Sequence, residues 1–134
     1  MKAREDRYQG GCLCGAVRLL AHGTPLRVGI CHCLDCRKHH GALFYAAAVF
    51  SDGVVTVTGD TGSYKGRHFC PRCGSSVFAR SDGEVEVHLG ALDATGGLVP
   101  SYELWAQRRE GWLPEFPGMT GFAGNRPDAG DTDT

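Results

Sequence analysis

The chain has 134 residues and a mass of 14.3 kDa, which predicts one domain that buries roughly two thirds of its unfolded surface. Its 14 Lys and Arg residues are balanced by 15 Asp and Glu residues, and the pI is near 6.6, which excludes the broad basic field of a general nucleic-acid binder. The first residues are charged, and no apolar stretch approaches the roughly 18 residues needed to cross a bilayer, so we expect a cytoplasmic protein.

The first part of the chain predicts short strands and one short helix. After a polar lead-in at residues 1–6, apolar runs at residues 16–21 and 26–30 are typical of strands. Residues 34–40 could form one or two helical turns, and Gly41 is placed to end them. A short helix is therefore expected directly after the second strand.

The remainder of the chain predicts further strands. Residues 42–50 are apolar throughout, and we assign them to a strand rather than a helix because they are few, partly aromatic and followed by a turn. Further strands are predicted at residues 54–58, 76–79, 84–89 and 101–105. With 20 glycines between such short strands, the chain should be mainly β. Residues 128–134, rich in Asp, Gly and Thr, have the composition of a disordered tail.

The seven cysteines are the residues of this sequence that indicate a chemical function. They form a C-x-C motif, a C-x-C-x2-C motif and a C-x2-C motif, at Cys12 and Cys14, at Cys31, Cys33 and Cys36, and at Cys70 and Cys73. In a reducing compartment, clustered cysteines indicate metal binding rather than disulfides. The two outer pairs, here called the outer cysteines, match the closed four-thiolate set of a structural zinc. The central three, here called the triplet, would hold a second zinc with one tetrahedral position left for another ligand, as in catalytic sites.

The sequence alone does not identify the fourth ligand of the second zinc site. A histidine could close it and make both zinc ions structural, the candidates being His32, His39, His40, His68 and His88. The triplet could also be three buried thiols without metal. If both zinc ions are structural, the chain would serve as a binding module for a protein partner. A zinc-ribbon nucleic-acid binder is disfavoured by the net charge of -1 and by the lack of a basic patch interleaved with aromatics.

The chain resembles the glutathione-dependent formaldehyde-activating enzyme (GFA) family, which includes the centromere protein V group. The resemblance rests on Gly11-Cys12-Leu13-Cys14-Gly15, on Cys31-His32-Cys33-Leu34-Asp35-Cys36-Arg37-Lys38 and on Phe69-Cys70-Pro71-Arg72-Cys73-Gly74, and it extends to residues 100–113. It implies a zinc-stapled, antiparallel β-tent of the Mss-four-like fold with short helical turns. A single domain at residues 1–134 would have its core at about 8–114 and a C-terminal extension at 115–134.

The same resemblance implies roles for the cysteines and an activity. Cys12, Cys14, Cys70 and Cys73 would hold the structural zinc, and Cys31, Cys33 and Cys36 the catalytic one, giving two zinc ions per chain. The implied activity is that of a carbon-sulfur lyase, in which formaldehyde condenses with glutathione to S-hydroxymethylglutathione after zinc has deprotonated the thiol. The expected partners are a small thiol and a small aldehyde, with no nucleic acid and no membrane. The oligomeric state is left open, with a homodimer as one expectation.

A few further residues are candidates for substrate contact. Arg37 and Lys38 stand beside the triplet in sequence and could meet glutathione carboxylates, or could point to solvent from a short helix. Glu103 stands where many members of the family have histidine. It could move protons near the metal, although a solvated strand position is the commoner place for such a residue. Trp105 and Trp112 are expected to pack in the core or at its edge.

Overall fold

A computed structural model describes residues 7–127, so the polar lead-in and the predicted disordered tail lie outside the described residues. The elements in chain order are β1 (Arg7–Gly11), β2 (Arg18–His22), β3 (Arg27–Cys31), α1 (Leu34–His40), β4 (Tyr45–Ser51), β5 (Val55–Thr58), β6 (Gly62–Tyr64), β7 (Arg67–Phe69), β8 (Ser76–Ser81), β9 (Glu84–His88), β10 (Tyr102–Leu104) and β11 (Thr120–Gly121). Short 3-10 turns occupy Asp52–Val54, Leu89–Ala91 and Ala106–Arg108. The prediction of a mainly β chain with short helical turns is confirmed. Within residues 7–127, no helix has both the length and the apolar character required to span a bilayer.

Between residues 7 and 127, the strands form two sheets. One has three strands in the order β1-β2-β5, and the other has eight in the order β11-β10-β3-β4-β9-β8-β7-β6. All neighbours pair antiparallel except β10, which runs parallel to both β3 and β11. The expected antiparallel arrangement therefore holds everywhere but at this edge. The exception matters for function, because β3 leads directly into the triplet and β10 lies beside it.

One buried cluster takes side chains from both sheets. Alternate residues of β2 point inward, which is the period of a strand with one face on the core. Phe50 of β4 and Phe78 of β8 are among its largest members, and burial of each contributes about 1.5–3 kcal/mol. Cys12 and Cys70 belong to the same cluster, so the outer cysteines lie at the edge of the main core.

The sequence did not predict four of the strands that the structure shows between residues 7 and 127, namely β1, β6, β7 and β11. β1 ends in two glycines, which weaken a strand pattern. At Gly10 the structure gives the reason for the glycine, because a Cβ there would lie 2.2 Å from the carbonyl oxygen of Ala91. The chain passes close at this point through an isolated bridge between Gly10 and Leu92. Glycine here marks a close approach of two backbones rather than a loop.

Gly29 of β3 makes the parallel edge possible. A Cβ at Gly29 would lie 2.2 Å from carbon atoms of the Tyr102 ring in β10, so the ring would have to move. We predict that Gly29→Ala lowers the free energy of unfolding by about 1–3 kcal/mol, the usual cost of overpacking. Urea denaturation followed by circular dichroism measures the change. Gly53→Ala is the matched control, because a Cβ at Gly53 meets nothing within 4 Å. Equal losses in the two variants would contradict the assignment to the Tyr102 contact.

Candidate functional site

The outer cysteines converge on one point. Cys12 and Cys14 follow β1, Cys70 and Cys73 follow β7, and the four sulfur atoms lie within 4.8 Å of one another. The Sγ atoms of Cys12 and Cys14 are 3.7 Å apart, and those of Cys14 and Cys70 are 3.8 Å apart. Four sulfurs at about 2.3 Å from a central ion form a tetrahedron with edges of about 3.8 Å. The donor set and its spacing therefore fit a four-thiolate metal site.

Backbone amides point at two of these sulfurs. The amide of Val17 donates to Cys12 Sγ at 3.2 Å, and the amides of Arg72 and Cys73 donate to Cys70 Sγ at 3.3 and 3.4 Å. Hydrogen bonds of this kind stabilise the negative charge of thiolate ligands. The two knuckles are thus shaped to hold thiolates.

Ser75 is a member of this site that sequence reasoning missed. Its Oγ lies 3.2 Å from Cys73 Sγ and accepts a hydrogen bond from the amide of Leu13 at 2.9 Å. Hydrogen bonds from the side chain and backbone of Ser75 lower the pKa of Cys73 to about 5. Ser75 therefore joins the knuckle after β1 to the knuckle after β7. The only sequence signal was a serine two positions after the last cysteine, and serine is common in turns.

The triplet forms a second, buried group. Cys31 ends β3, Cys33 is the N-cap of α1 and Cys36 lies in its first turn, with exposed fractions of 4%, 6% and 2%. Their sulfur atoms lie within 4.8 Å of one another. The helix starts here because Cys33 Sγ accepts a hydrogen bond from the amide of Cys36 at 3.2 Å, and it ends at Gly41, which adopts the left-handed conformation. The predicted helix and its end are confirmed.

The raised pKa values of two triplet thiols favour a bound cation among them. None of the seven cysteines forms a disulfide. Hydrogen bonding to the Cys33 side chain, together with burial, raises the pKa of Cys31 to about 12, and the thiols of Cys31 and Cys33 raise the pKa of Cys36 far above its usual value. The thiols of Cys31 and Cys36 would therefore stay protonated at neutral pH unless a positive charge lies among the three sulfur atoms. This donor set fits a soft metal ion.

Within residues 7–127, no further Cys, His, Asp or Glu ligand atom joins the triplet. The histidines considered for that place were His32, His39, His40, His68 and His88. His32 directs its Nε2 at Glu103, 2.8 Å from Oε1. His39 Nε2 and His88 Nδ1 share the hydroxyl of Ser76, at 2.8 and 3.1 Å. The structure therefore does not support closure of the second site by a histidine.

His40 lies close to the triplet. Its ring stacks on Tyr45, with centroids 4.1 Å apart and planes at 18°, and Tyr45 packs against the triplet. Burial, followed by the charges of His39 and Arg67, lowers the pKa of His40 to about 4, while the nearby Cys33 acts in the opposite direction. The imidazole is therefore neutral at neutral pH.

Arg37 and Lys38 line a cleft of about 350 Å³. The cleft is lined by Leu34, Arg37, Lys38, Gly41, Ala42 and Leu43. Positions 34, 37, 38 and 41 share one side of a helix, whereas Cys36 is buried on the other side. Arg37 Nη1 also pairs with Glu110 Oε2 at 3.0 Å. The two cations are therefore separated from the triplet by the helix, and they could meet only a part of a substrate that lies far from its sulfur atom.

Two expectations about residues near the C-terminal end were wrong. Glu103 is only 8% exposed rather than solvated, and its Oε1 accepts hydrogen bonds from His32 Nε2 at 2.8 Å and from Arg109 Nε at 3.3 Å. Trp112 is 69% exposed rather than packed. Trp105 does pack against the triplet, as expected. Glu103 is thus held by protein groups, which suits a supporting role better than direct contact with substrate.

Comparison with known proteins agrees with these two cysteine groups. The model of the glutathione-dependent formaldehyde-activating enzyme family matches residues 7–108, a range that includes all seven cysteines. The chain belongs to this family. The assignment to the GFA family from its cysteine motifs is thereby confirmed, and the matched range also includes α1 and β10.

Two relatives of this GFA-family chain show how far the likeness extends. A protein of Schizosaccharomyces pombe, described as an uncharacterized lyase, is 31% identical over 90 residues, which are 63% of this chain and 66% of the relative. The chain thus spans slightly less than two thirds of that protein. A Rhodobacter sphaeroides protein of known crystal structure shares 22% sequence identity with this chain. The matched region covers 64% of this chain and 88% of the Rhodobacter protein, with a TM-score of 0.51. The second likeness shows a shared fold.

Proposed function

We propose that this GFA-family chain is a zinc-dependent carbon-sulfur lyase, with glutathione and formaldehyde as the prototype of its thiol and aldehyde substrates. The observation that carries the proposal is an asymmetry between the two groups. The outer cysteines supply four sulfurs, whereas the triplet supplies three, and residues 7–127 place no further Cys, His, Asp or Glu ligand atom with it. The description of the fission-yeast relative as a lyase supports the same class of reaction.

Both groups would hold zinc, which gives two ions per chain. The outer cysteines would stabilise the fold, because they join the knuckle after β1 to the knuckle after β7. At the triplet, the bound ion would lower the pKa of an incoming thiol so that a thiolate is present at neutral pH. The three cysteine thiolates keep the overall charge of the site negative, which preserves the nucleophilicity of that thiolate.

The reaction is an addition without oxidation or reduction. The substrate sulfur forms a bond to the aldehyde carbon, the π electron pair of the carbonyl moves to oxygen, and that oxygen takes up the proton that the thiol released. This proton passes through water between the two steps, because the imidazole of His40 beside the triplet, with its pKa lowered to about 4, does not hold a proton at neutral pH. Release of thiol and aldehyde follows the same steps in reverse.

The cleft beyond α1 offers a place for the distant end of a long thiol. Arg37 and Lys38 would attract a carboxylate there, and Arg37 would exchange its contact with Glu110 for the substrate. Glutathione has carboxylates far from its sulfur and fits this requirement. A small thiol such as 2-mercaptoethanol would not reach the two cations.

The proposal is tested by the rate at which thiol and aldehyde exchange with their adduct. We expect the zinc-loaded protein to accelerate the exchange between free formaldehyde and its glutathione adduct. NMR exchange spectroscopy at equilibrium measures the rate of this exchange. Removal of zinc with a chelator should abolish the acceleration, and native mass spectrometry should find two zinc ions per chain. Two bound zinc ions with an unchanged exchange rate would overturn the lyase proposal and favour a module that binds a protein partner.

A further inference from the structure

His32 stands between two members of the triplet in the chain, and its side chain makes one hydrogen bond to the described residues. Its side chain is fully buried, and Nε2 lies 2.8 Å from Glu103 Oε1. Because an ionised carboxylate only accepts hydrogen bonds, Nε2 is the donor. Nδ1 has no partner among the described residues. The orientation of the ring between Cys31 and Cys33 therefore depends on Glu103.

Glu103 is in turn held by Arg109. Arg109 Nε lies 3.3 Å from the same carboxylate oxygen, and Nη1 donates to the carbonyl oxygen of Leu113 at 2.7 Å. Nη2 donates to the carbonyl oxygen of Pro114. The guanidinium group is mostly buried, with 15% of its side chain exposed. Arg109 thus ties Glu103 to the segment that follows β10.

Aromatic contacts complete a closed circuit of side chains. The guanidinium group of Arg109 lies over Phe116, 5.4 Å from the ring centroid. Phe116 packs edge-on against Phe44 at 5.7 Å, and Phe44 packs against His32 at 5.5 Å. The five residues His32, Glu103, Arg109, Phe116 and Phe44, here called the His32 circuit, each contact the next and return to the start.

Backbone contacts place the His32 circuit against the triplet. The amide of His32 donates to the carbonyl oxygen of Leu104 at 3.0 Å, and Cys31 pairs with Leu104 in the parallel edge between β3 and β10. Leu104 also packs against the triplet. Any movement of Glu103 on β10 would therefore be transmitted to the segment that carries Cys31 and Cys33.

We propose that Glu103 and Arg109 are positioning residues, which act through His32 to hold Cys31 and Cys33 in the geometry that binds the second metal ion. The inference rests on the proposed function in one respect, namely that the triplet holds a metal. It goes beyond that function because it assigns a role to residues that touch neither the metal nor the substrate. It also explains why an arginine and a glutamate are buried together beside a cysteine site.

Cobalt(II) is a suitable probe, because its thiolate complexes absorb visible light and report their ligand geometry. Added 2-mercaptoethanol should change the absorption only at the triplet, since the outer cysteines already supply four ligands. The two groups can then be followed separately while a chelator competes for the metal. This measurement involves no aldehyde and no turnover.

In Glu103→Ala, we expect the affinity of the triplet for cobalt(II) to fall about tenfold, the low end of the usual effect of outer partners of metal ligands. The affinity of the outer cysteines should not change. Glu103→Gln keeps an oxygen that can accept from His32 and should lose less. Glu84→Ala is the matched control, because Glu84 is a half-buried glutamate that also pairs with an arginine, Arg27, at 2.6 Å.

Wild-type affinity and spectrum in Glu103→Ala, or equal losses at both cysteine groups, would overturn the proposal. If that variant does not fold, Glu103→Gln and Arg109→Lys carry the test, since lysine keeps the charge but cannot reach the carboxylate and both carbonyl groups together. Wild-type behaviour in both would then overturn it. If the wild-type protein shows no thiol-aldehyde exchange but Glu103→Ala shows the selective loss, the proposed function fails and the positioning role stands.

Discussion

Cys70→Ser is expected to leave the chain without a cooperative unfolding transition. Cys70 is fully buried, belongs to the main core cluster, and its sulfur accepts two backbone amides. If the outer cysteines hold zinc as proposed, the binding free energy is on the order of 10 kcal/mol, against a total stability of about 5–15 kcal/mol for a domain. Loss of one zinc ligand is therefore expected to remove a free energy comparable to the total free energy of unfolding. Thermal melts followed by circular dichroism measure the effect.

Two comparisons separate the loss of metal from a local packing defect. A chelator added to the wild-type protein should produce the same unfolded spectrum as Cys70→Ser. Ser75→Ala, which removes a hydrogen bond to Cys73 but no ligand, should remain folded with a lower melting temperature. A folded Cys70→Ser variant that still unfolds cooperatively would contradict a structural role for the outer cysteines.

Local signals explain what the sequence predicted well. The C-x-C-x2-C spacing brought three sulfurs together because Cys33 is the N-cap of α1 and Cys36 lies in its first turn, and Gly41 marked the end of the helix. Most strands were found because their period and their flanking turns are encoded within a few residues. The division of seven cysteines into four and three was predicted from spacing alone, and the structure gathers the same residues.

Long-range contacts explain what the sequence did not predict. The direction of β10 depends on its pairing with β3, about seventy residues earlier in the chain, and no local pattern encodes it. Glu103 was expected at a solvated position because carboxylates are rarely buried, but His32 and Arg109 supply the partners that permit burial. Ser75 likewise gains its role only when the two knuckles meet.

Cys33→Ser is expected to abolish thiol-aldehyde exchange while leaving the fold intact. Cys33 caps α1 through a hydrogen bond from the amide of Cys36 to its side chain, and serine is among the preferred N-cap residues. The hydroxyl can therefore replace the cap, but it is a poor thiolate substitute at a soft metal site. Loss of a ligand should lower the exchange rate by more than the roughly 10- to 100-fold that loss of an outer partner costs. NMR exchange spectroscopy and a thermal melt measure the two effects.

Cys33→Ala provides the control that separates the cap from the metal. Alanine removes both functions, so this variant should be as inactive as Cys33→Ser and less stable by about 1 kcal/mol, the usual cost of a lost N-cap. If Cys33→Ser and Cys33→Ala are equally inactive but differ in stability, the side-chain oxygen or sulfur at position 33 caps the helix. The thiolate is then the group that catalysis requires. If Cys33→Ser instead keeps the wild-type exchange rate, the reaction does not take place at the triplet, whatever metal is bound there. If Cys33→Ser unfolds as Cys70→Ser does, the triplet is structural in the same way as the outer cysteines.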